Sequence, residues 1–185
     1  MSQKLDGKRI AFVATDGVEA VELREPWAVL TEAGAIPTLV SIEAGRIQGY
    51  DHLTASEQFD VDKTALHAHA DDYDALVLPG GVANPDRLRT DTHIVDFVRG
   101  AVEMGTPVGV ICHGPWTLVS AGVVKGRRMT SWPSLRDDLI NAGADWVDEQ
   151  VVVDTSGPGV LVSSRKPDDL PTFGAAIVEQ FGSPT

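Results

Sequence analysis

The sequence predicts an α/β protein in which helices cover both faces of a mostly parallel sheet. Three apolar runs, Arg9–Ala14, Ala75–Leu78 and Pro107–Ile111, each indicate a buried strand. Amphipathic helical patterns separate these runs, and strands that alternate with helices favour a parallel sheet covered on both sides. At 185 residues, the chain is expected to form one domain of ordinary size.

The first helix is predicted over Val18–Ala33, with Pro26 inside it. Because proline has no N–H, the carbonyl of Glu22 loses its helical partner, and a kink is expected near that residue. A glutamate beside such a distortion is a candidate site residue. Glu19 and Glu25, in contrast, are expected to be solvent-exposed glutamates on the face of the helix.

The segment after this helix is harder to interpret. Ile36–Ile42 indicates a second strand, and residues 44–49 suggest a small hairpin, whereas residues 52–72 show no clear periodicity. His67 and His69 could both face a metal, but a His-x-His pair without a third ligand is weak evidence for a site. A solvated or hydrogen-bonding role is preferred for both, and neither a metal nor another cofactor is predicted.

The second half of the chain continues the alternation of strands and helices. Four helices are predicted: Asp91–Met104, the segment from after Cys112 up to Gly122, Ser134–Ala142, and a last helix that begins at Asp168 or Asp169. Two further strands are predicted over Val151–Asp154 and Val160–Ser164. Glycines directly after several of these helices supply the usual stop signal.

The chain's only cysteine, Cys112, lies between the apolar run 107–111 and a helical segment. A sharp strand-to-helix turn would lift its sulfur out of the sheet edge and direct free helix N–H groups toward whatever the sulfur attacks. The helix N-terminus is expected to lower the pKa of an exposed thiol and favour the thiolate. A buried core cysteine is the alternative, but the following His113-Gly114-Pro115 favours a reactive thiol.

Two backbone N–H groups are candidates for an oxyanion hole beside Cys112. The strand Ala75–Leu78 leads into Pro79-Gly80-Gly81, and the carboxyl ends of parallel strands meet at one sheet edge. The N–H groups of Gly81 and His113 are therefore the natural pair of donors. Since consecutive residues do not face each other on a helix, a Cys112–His113 dyad requires an irregular backbone. No histidine follows His113, which excludes a cysteine glutaminase of the amidotransferase type.

Composition limits the classes of partner. The net charge of −12 opposes nonspecific nucleic-acid binding, and no apolar stretch approaches membrane-spanning length. The N-terminal residues contain no apolar core like that of a signal peptide, so none is predicted. A single cysteine rules out an intrachain disulfide and fits a reducing, cytoplasmic location.

Four segments together resemble the PfpI-type intracellular cysteine proteases of the ThiJ/PfpI superfamily, which includes the Parkinson-linked protein deglycase. They are Val18–Leu23, Ala75–Gly81, Ile111–Pro115 and Thr130–Pro133. The resemblance extends from about Arg9 to Phe181. It implies a flavodoxin-like three-layer sandwich, with residues 1–185 forming one class I amidotransferase-like domain. It also implies a homodimer or larger homo-oligomer whose active site lies near the interface.

The resemblance further implies roles for individual residues. Cys112 would be the nucleophile, Glu22 would hydrogen-bond to its sulfur, and His113 would be oriented by an acid from a neighbouring subunit. Asp86 lies where that acid is expected, although it is shorter than the usual glutamate and could instead cap a helix that begins nearby. Trp132 replaces the family's tyrosine and removes a hydroxyl group.

These observations predict a cysteine-dependent hydrolase with a stress-protective role. Its substrate would be a peptide or a small molecule, and the activity either peptide hydrolysis or deglycase or glyoxalase-like chemistry on reactive carbonyls. The alternative is a non-enzymatic redox sensor or chaperone that works through oxidation of Cys112.

Overall fold

The computed structural model describes residues 4–183. Residues 1–3, part of the N-terminal segment in which no signal peptide is predicted, lie outside the described residues, as do residues 184–185. The strands between residues 4 and 183 are, in chain order, β1 (Arg9–Val13), β2 (Val18–Glu19), β3 (Ile36–Ser41), β4 (Arg46–Asp51), β5 (Thr54–Asp60), β6 (Lys63–Thr64), β7 (Ala75–Leu78), β8 (Val108–Ile111), β9 (Arg128–Met129), β10 (Asp145–Trp146), β11 (Val151–Asp154) and β12 (Leu161–Ser164). The helices are α1 (Ala20–Glu32), α2 (Ala83–Leu88), α3 (Thr92–Glu103), α4 (Pro115–Ala121), α5 (Arg136–Asn141) and α6 (Leu170–Phe181), with short 3₁₀ turns at Ala65–His67, Ala70–Asp72, Pro133–Leu135 and Pro167–Asp169.

A seven-stranded sheet forms the centre of the protein, in the order β11-β12-β8-β7-β1-β3-β6. Its neighbouring strands are parallel except for β11 and β12, which are antiparallel. This confirms the predicted mostly parallel sheet. Two small sheets accompany it, one of β9 and β10 and one of β2, β4 and β5.

The helices form a layer on each face of the central sheet. Apolar residues of α1 and α6 pack into one buried cluster, and those of α3, α4 and α5 pack into the other. Strands β7 and β8 are buried along their whole length, as expected for parallel strands covered on both faces. The three-layer α/β sandwich predicted from the sequence is therefore confirmed.

The first helix and the hairpin after it differ from the sequence prediction. Helix α1 begins at Ala20 instead of Val18, because Val18–Glu19 pair with β4 as a short parallel strand. Pro26 lies inside the helix, as predicted. The small hairpin predicted at residues 44–49 is longer and consists of β4 and β5, paired antiparallel. Six of the seven residues of β5 are exposed, so this strand carries no apolar alternation that the sequence could have revealed.

The two histidines considered as metal ligands are exposed. His67 Nδ1 lies 2.9 Å from the hydroxyl of Thr64, which fits the preferred hydrogen-bonding role. None of the helices between residues 4 and 183 combines the length and apolar character that crossing a bilayer requires.

Candidate active site

The turn after β8 holds Cys112 in an unusual backbone conformation. Its φ is +61°, in the left-handed region that non-glycine residues seldom occupy. Hydrogen bonds hold this conformation on both sides, because the N–H of Cys112 donates to Ser164 O at 3.2 Å and its carbonyl accepts the N–H of Trp132 at 2.9 Å. Such strain persists only where the surroundings fix it, and it is concentrated at functional sites.

Gly114 lets this turn close against the neighbouring strand. A Cβ at position 114 would lie 2.6 Å from the carbonyl oxygen of Leu78, at the end of β7. Only glycine fits there, and α4 then begins at Pro115. The turn therefore packs directly against the end of the strand that leads into Gly80 and Gly81.

The irregular backbone brings Cys112 and His113 together. The Sγ of Cys112 lies 3.1 Å from Nδ1 of His113. The imidazole stacks on Trp132 with ring centroids 5.6 Å apart and meets the edge of Trp116 at 5.3 Å. Burial lowers the pKa of His113 to about 4, so the ring is neutral at pH 7 and able to accept a proton.

Glu22 is fully buried beside the sulfur. Its Oε2 accepts the N–H of Gly80 at 2.9 Å, while Oε1 has no hydrogen-bond partner among residues 4–183. Burial raises the pKa of this carboxyl to about 8, and so it is mostly protonated at pH 7. A Cβ on Gly80 would lie 2.5 Å from Oε2 of Glu22 and 2.9 Å from Sγ of Cys112. Both side chains therefore pack directly against the backbone of Gly80.

The expectation of an exposed thiol with a low pKa is wrong. Cys112 is only 5% exposed. Burial is the main cause of a raised pKa of its thiol, and the charge that Glu22 carries when ionised raises this pKa further. Hydrogen bonds from the backbone N–H groups of Gly81 and His113 act in the opposite direction and lower it. These are the two donors predicted from the sequence, and both are within reach of the sulfur. The thiol keeps its proton until a base removes it.

Glu19 is the second site residue that departs from expectation. It is 7% exposed, not solvated, because the short strand β2 places it in a sheet instead of on a helix face. Its carboxylate accepts the N–H of His52 at 3.2 and 3.4 Å. Glu25 is exposed, as expected. No local periodicity could have indicated the burial of Glu19, because it depends on the pairing of β2 with β4, a strand about thirty residues away in the chain.

A cavity of about 650 Å³ opens over Cys112 and His113. Its walls include Asp16, Gly17, Glu19, Glu22, Tyr50, His52, Leu53, Gly81, Val82, Ala83, Asp86, Arg87, Trp132 and Pro167. The tip of the β4–β5 hairpin thus lines part of the cavity, which the sequence did not predict.

Asp86 lies on α2 at the edge of this cavity and is exposed. The helix begins at Ala83 and has no side-chain cap, so the alternative that Asp86 caps it is wrong. Within the described chain the Asp86 carboxylate makes no hydrogen bond or ion pair, whereas the adjacent Arg87 pairs with Asp16 at 3.0 Å. The cross-subunit role of Asp86 stays a prediction.

Among the described residues, one group of side chains could offer three ligands to a metal ion. It consists of Glu19, Asp51 and His52, whose candidate ligand atoms lie within 4.8 Å of one another. Asp51 and His52 are exposed, and such groups are common without an ion. His67 and His69 do not belong to this cluster.

Comparison with known proteins places this site in a family context. Residues 8–180 match the DJ-1/PfpI family. Over 162 residues the chain is 44% identical to "Deglycase PfpI" from Pyrococcus furiosus, covering 88% of this chain and 92% of that protein. It is 41% identical over 167 residues to "General stress protein 18" from Bacillus subtilis, covering 90% and 94%. Among solved structures, a two-domain Anabaena variabilis protein with DJ-1/ThiJ/PfpI-like and ferritin-like domains matches with a TM-score of 0.85 and 32% identity. The match covers 95% of this chain and about half of that one, at 48%.

Proposed function

Because the chain belongs to the DJ-1/PfpI family, we propose that it is a cysteine-dependent hydrolase whose first step is attack of Cys112 on a carbonyl carbon. The observation that carries this proposal is the 3.1 Å contact between Sγ of Cys112 and Nδ1 of His113, beside two backbone N–H donors. Relatives named as deglycases favour reactive-carbonyl adducts as substrates over ordinary peptides. The name of a general stress protein among the relatives supports a stress-protective role.

The resting electrostatics of the site oppose transfer of a proton from Cys112 to His113, so in this proposal the transfer accompanies attack on the substrate. The thiol is held protonated by burial, and the neighbouring imidazole is neutral. As the C–S bond forms, Nδ1 of His113 takes the thiol proton and the carbonyl π electrons move to oxygen. The resulting oxyanion accepts hydrogen bonds from the N–H groups of Gly81 and His113. With an amide, His113 returns the proton to the leaving nitrogen, the C–N bond breaks, and water hydrolyses the thioester.

Protonated Glu22 has a separate role in this scheme. Its carboxyl stays neutral at pH 7 because it is fully buried. A neutral carboxyl adds no repulsion to the negative charge that develops on the sulfur or the oxyanion, and it can donate a hydrogen bond to either. Glu22 therefore supports the anionic states of the reaction.

Asp86 is proposed to complete the site in a homodimer or larger homo-oligomer. Its exposed carboxylate at the cavity edge is available to a neighbouring subunit, where it would orient the partner's imidazole and support the imidazolium. Apolar side chains at the same cavity are also exposed, with Leu53 at 96% and Val82 at 57%. Exposed apolar groups around a site favour coverage by another protein surface.

The proposed function is tested by assaying three substrates side by side: methylglyoxal, methylglyoxal-modified N-acetylarginine and casein. Wild-type protein is compared with Cys112→Ser, at matched oligomeric state. We expect turnover of the carbonyl substrates to fall at least roughly 100-fold in Cys112→Ser, because a serine hydroxyl is a far weaker nucleophile. Equal rates in both proteins would overturn the proposal. Preferential turnover of casein would assign a peptidase instead of a deglycase.

The redox-sensor alternative has one observation in its favour, because the groups around the sulfur could also stabilise an oxidised cysteine. The N–H groups of Gly81 and His113 and the protonated Glu22 would all donate to a sulfinate. Mild peroxide should then add two oxygens at Cys112, and Glu22→Leu should lose this preference. Intact-mass analysis measures both, and identical oxidation patterns in the two proteins would remove Glu22 from this role.

A further inference from the structure

The imidazole of His113 makes few polar contacts within its own chain. Its Nδ1 lies 3.1 Å from Sγ of Cys112, and its Nε2 has no hydrogen-bond or ion-pair partner among residues 4–183. A thiol is a weak hydrogen-bond donor. This single contact does not fix the plane of the ring, so its orientation depends on the aromatic side chains packed around it.

Two indole rings enclose the imidazole of His113. The ring of Trp132 lies nearly parallel to it, with an angle of 24° between the planes and centroids 5.6 Å apart. The ring of Trp116 is inclined at 63°, with centroids 5.3 Å apart. Rotation of the imidazole about its Cβ–Cγ bond would turn its edge into the face of Trp132. The stack therefore opposes rotation away from the plane in which Nδ1 meets the sulfur.

Trp132 is itself fixed to the turn that carries the nucleophile. Its N–H donates to the carbonyl of Cys112 at 2.9 Å. Its carbonyl accepts the hydroxyl of Ser131 at 2.9 Å, and the Nε1–H of Trp146 donates to that hydroxyl oxygen, also at 2.9 Å. The indole ring and the thiol are therefore held by one connected set of hydrogen bonds.

The side chain of Trp132 acts on the site through its ring face. Trp132 is 36% exposed and lines the cavity over Cys112 and His113. Its Nε1–H has no hydrogen-bond partner among the described residues. Stacking on His113 is thus the contact by which this side chain reaches the reacting groups.

From these contacts we propose that Trp132 is a positioning residue: its indole face keeps Nδ1 of His113 directed at the Cys112 sulfur and stabilises the imidazolium that forms when the thiol proton is transferred. This role rests on the proposed function, in which His113 is the base that takes that proton.

The stack also affects the charge that proton transfer creates. Burial lowers the pKa of His113 to about 4, because a charged ring is poorly solvated at this position. The face of an indole attracts a cation that lies within about 6 Å of the ring centroid. The 5.6 Å stack on Trp132 meets this condition, so the indole offsets part of the cost of forming the imidazolium.

Two substitutions separate the ring face of Trp132 from its bulk. Trp132→Phe keeps an aromatic face for the imidazole, whereas Trp132→Leu keeps apolar bulk without one. On the substrate that wild type turns over best, we expect kcat of Trp132→Leu to fall roughly 10- to 100-fold with a much smaller change in KM, and Trp132→Phe to retain most of the activity. An unchanged kcat in Trp132→Leu, or an equal loss in both variants, would overturn the proposal.

Trp27→Leu is the matched control, because it removes an indole from an aromatic pair outside the cavity. Trp27 packs on Phe12 with ring centroids 5.0 Å apart. This variant should have a lower melting temperature and an unchanged kcat, and a loss of kcat equal to that of Trp132→Leu would count against a specific role of Trp132. A melting temperature measured for every protein identifies the folded variants, and Trp132→Met replaces Trp132→Leu if the latter does not fold.

The orientation of the ring can be measured without substrate, by ¹⁵N NMR at pH 7 of protein labelled in its histidine rings. The resonances of His113 are identified by their loss in His113→Gln. Because the thiol donates to Nδ1, wild type and Trp132→Phe should carry the ring proton on Nε2, whereas Trp132→Leu should show a mixture of both tautomers. The same single tautomer in Trp132→Leu would overturn the positioning role. Inactivity of the wild type on every substrate would instead overturn the proposed function and leave this readout intact.

Discussion

The Cys112 Sγ lies 3.1 Å from Nδ1 of His113, although the two residues are adjacent in the chain. Adjacent side chains diverge on a regular helix or strand, and here the left-handed conformation of Cys112 turns them toward each other. The hydrogen bonds to Ser164 and Trp132 hold that conformation. The dyad is thus a product of the strand-to-helix turn, and its geometry depends on the segments packed around that turn.

Gly80→Ala should damage the site, because the added methyl group would overlap Oε2 of Glu22 and Cβ of Cys112, each 2.5 Å away. We expect a loss of about 1–3 kcal/mol in the free energy of unfolding and a fall in kcat/KM of roughly 10- to 100-fold. Urea denaturation and turnover of the preferred substrate measure the two effects.

Gly100→Ala is the matched control for this change. A Cβ at position 100, in α3, would meet nothing closer than Ala70 Cβ at 3.9 Å. This variant should keep full activity and gain up to about 1 kcal/mol in stability. If Gly80→Ala behaves like Gly100→Ala, the close packing of Glu22 and Cys112 around position 80 is not needed for activity.

Glu22 should make stability fall as pH rises. Its pKa is about 8 in the folded protein against an ordinary value of 4.5, so the folded state binds the proton more tightly. The stability that this proton contributes is fully present below pH 4.5 and is lost progressively up to about pH 8. Urea denaturation at fixed protein concentration should show the stability of wild type relative to Glu22→Gln declining across that window, by on the order of a few kcal/mol. Parallel stability curves for the two proteins would refute the raised pKa.

Asp86→Asn should lower turnover much more than stability, since it removes a charge proposed to support the imidazolium of a neighbouring subunit. We expect kcat/KM to fall at least roughly tenfold and the melting temperature to stay nearly unchanged, because the side chain is exposed.

Mixed oligomers of Asp86→Asn and Cys112→Ser subunits test the cross-subunit part of this prediction. In a hybrid interface, an intact Cys112–His113 pair faces an intact Asp86 of the other chain, so part of the activity should return. Native mass spectrometry verifies that hybrids have formed. Hybrids that remain as inactive as both parents would show that Asp86 does not act across the interface.

The main features of the fold could be predicted because the buried parallel strands are continuous apolar runs, as in Arg9–Val13 and Val108–Ile111. The residues around the sulfur could be located for a related reason, since Cys112 directly follows β8 and Gly81 lies three residues after the end of the neighbouring strand β7. The hairpin wall of the cavity could not be predicted, because β5 is exposed almost throughout and lacks a periodic signal.

The direction of the Cys112 pKa shift and the burial of Glu19 could not be predicted from the sequence either. A strand-to-helix turn predicts a thiol with a lowered pKa, but burial of Cys112, together with the charge that Glu22 carries when ionised, raises the pKa instead. Burial of Glu19 depends on pairing of β2 with β4, which joins segments about thirty residues apart. Both effects come from tertiary contacts that no local pattern encodes.

Attack of Cys112 on a carbonyl carbon can be tested by observing the bond between the sulfur and that carbon. Wild-type protein and Cys112→Ser are mixed with methylglyoxal labelled with ¹³C at the aldehyde carbon, and the ¹³C NMR spectrum is recorded at once and during turnover. We expect a protein-bound resonance of a hemithioacetal or thioester in the wild type and its absence in Cys112→Ser. Consumption of methylglyoxal at the same rate by both proteins, with no bound resonance in either, would contradict this expectation.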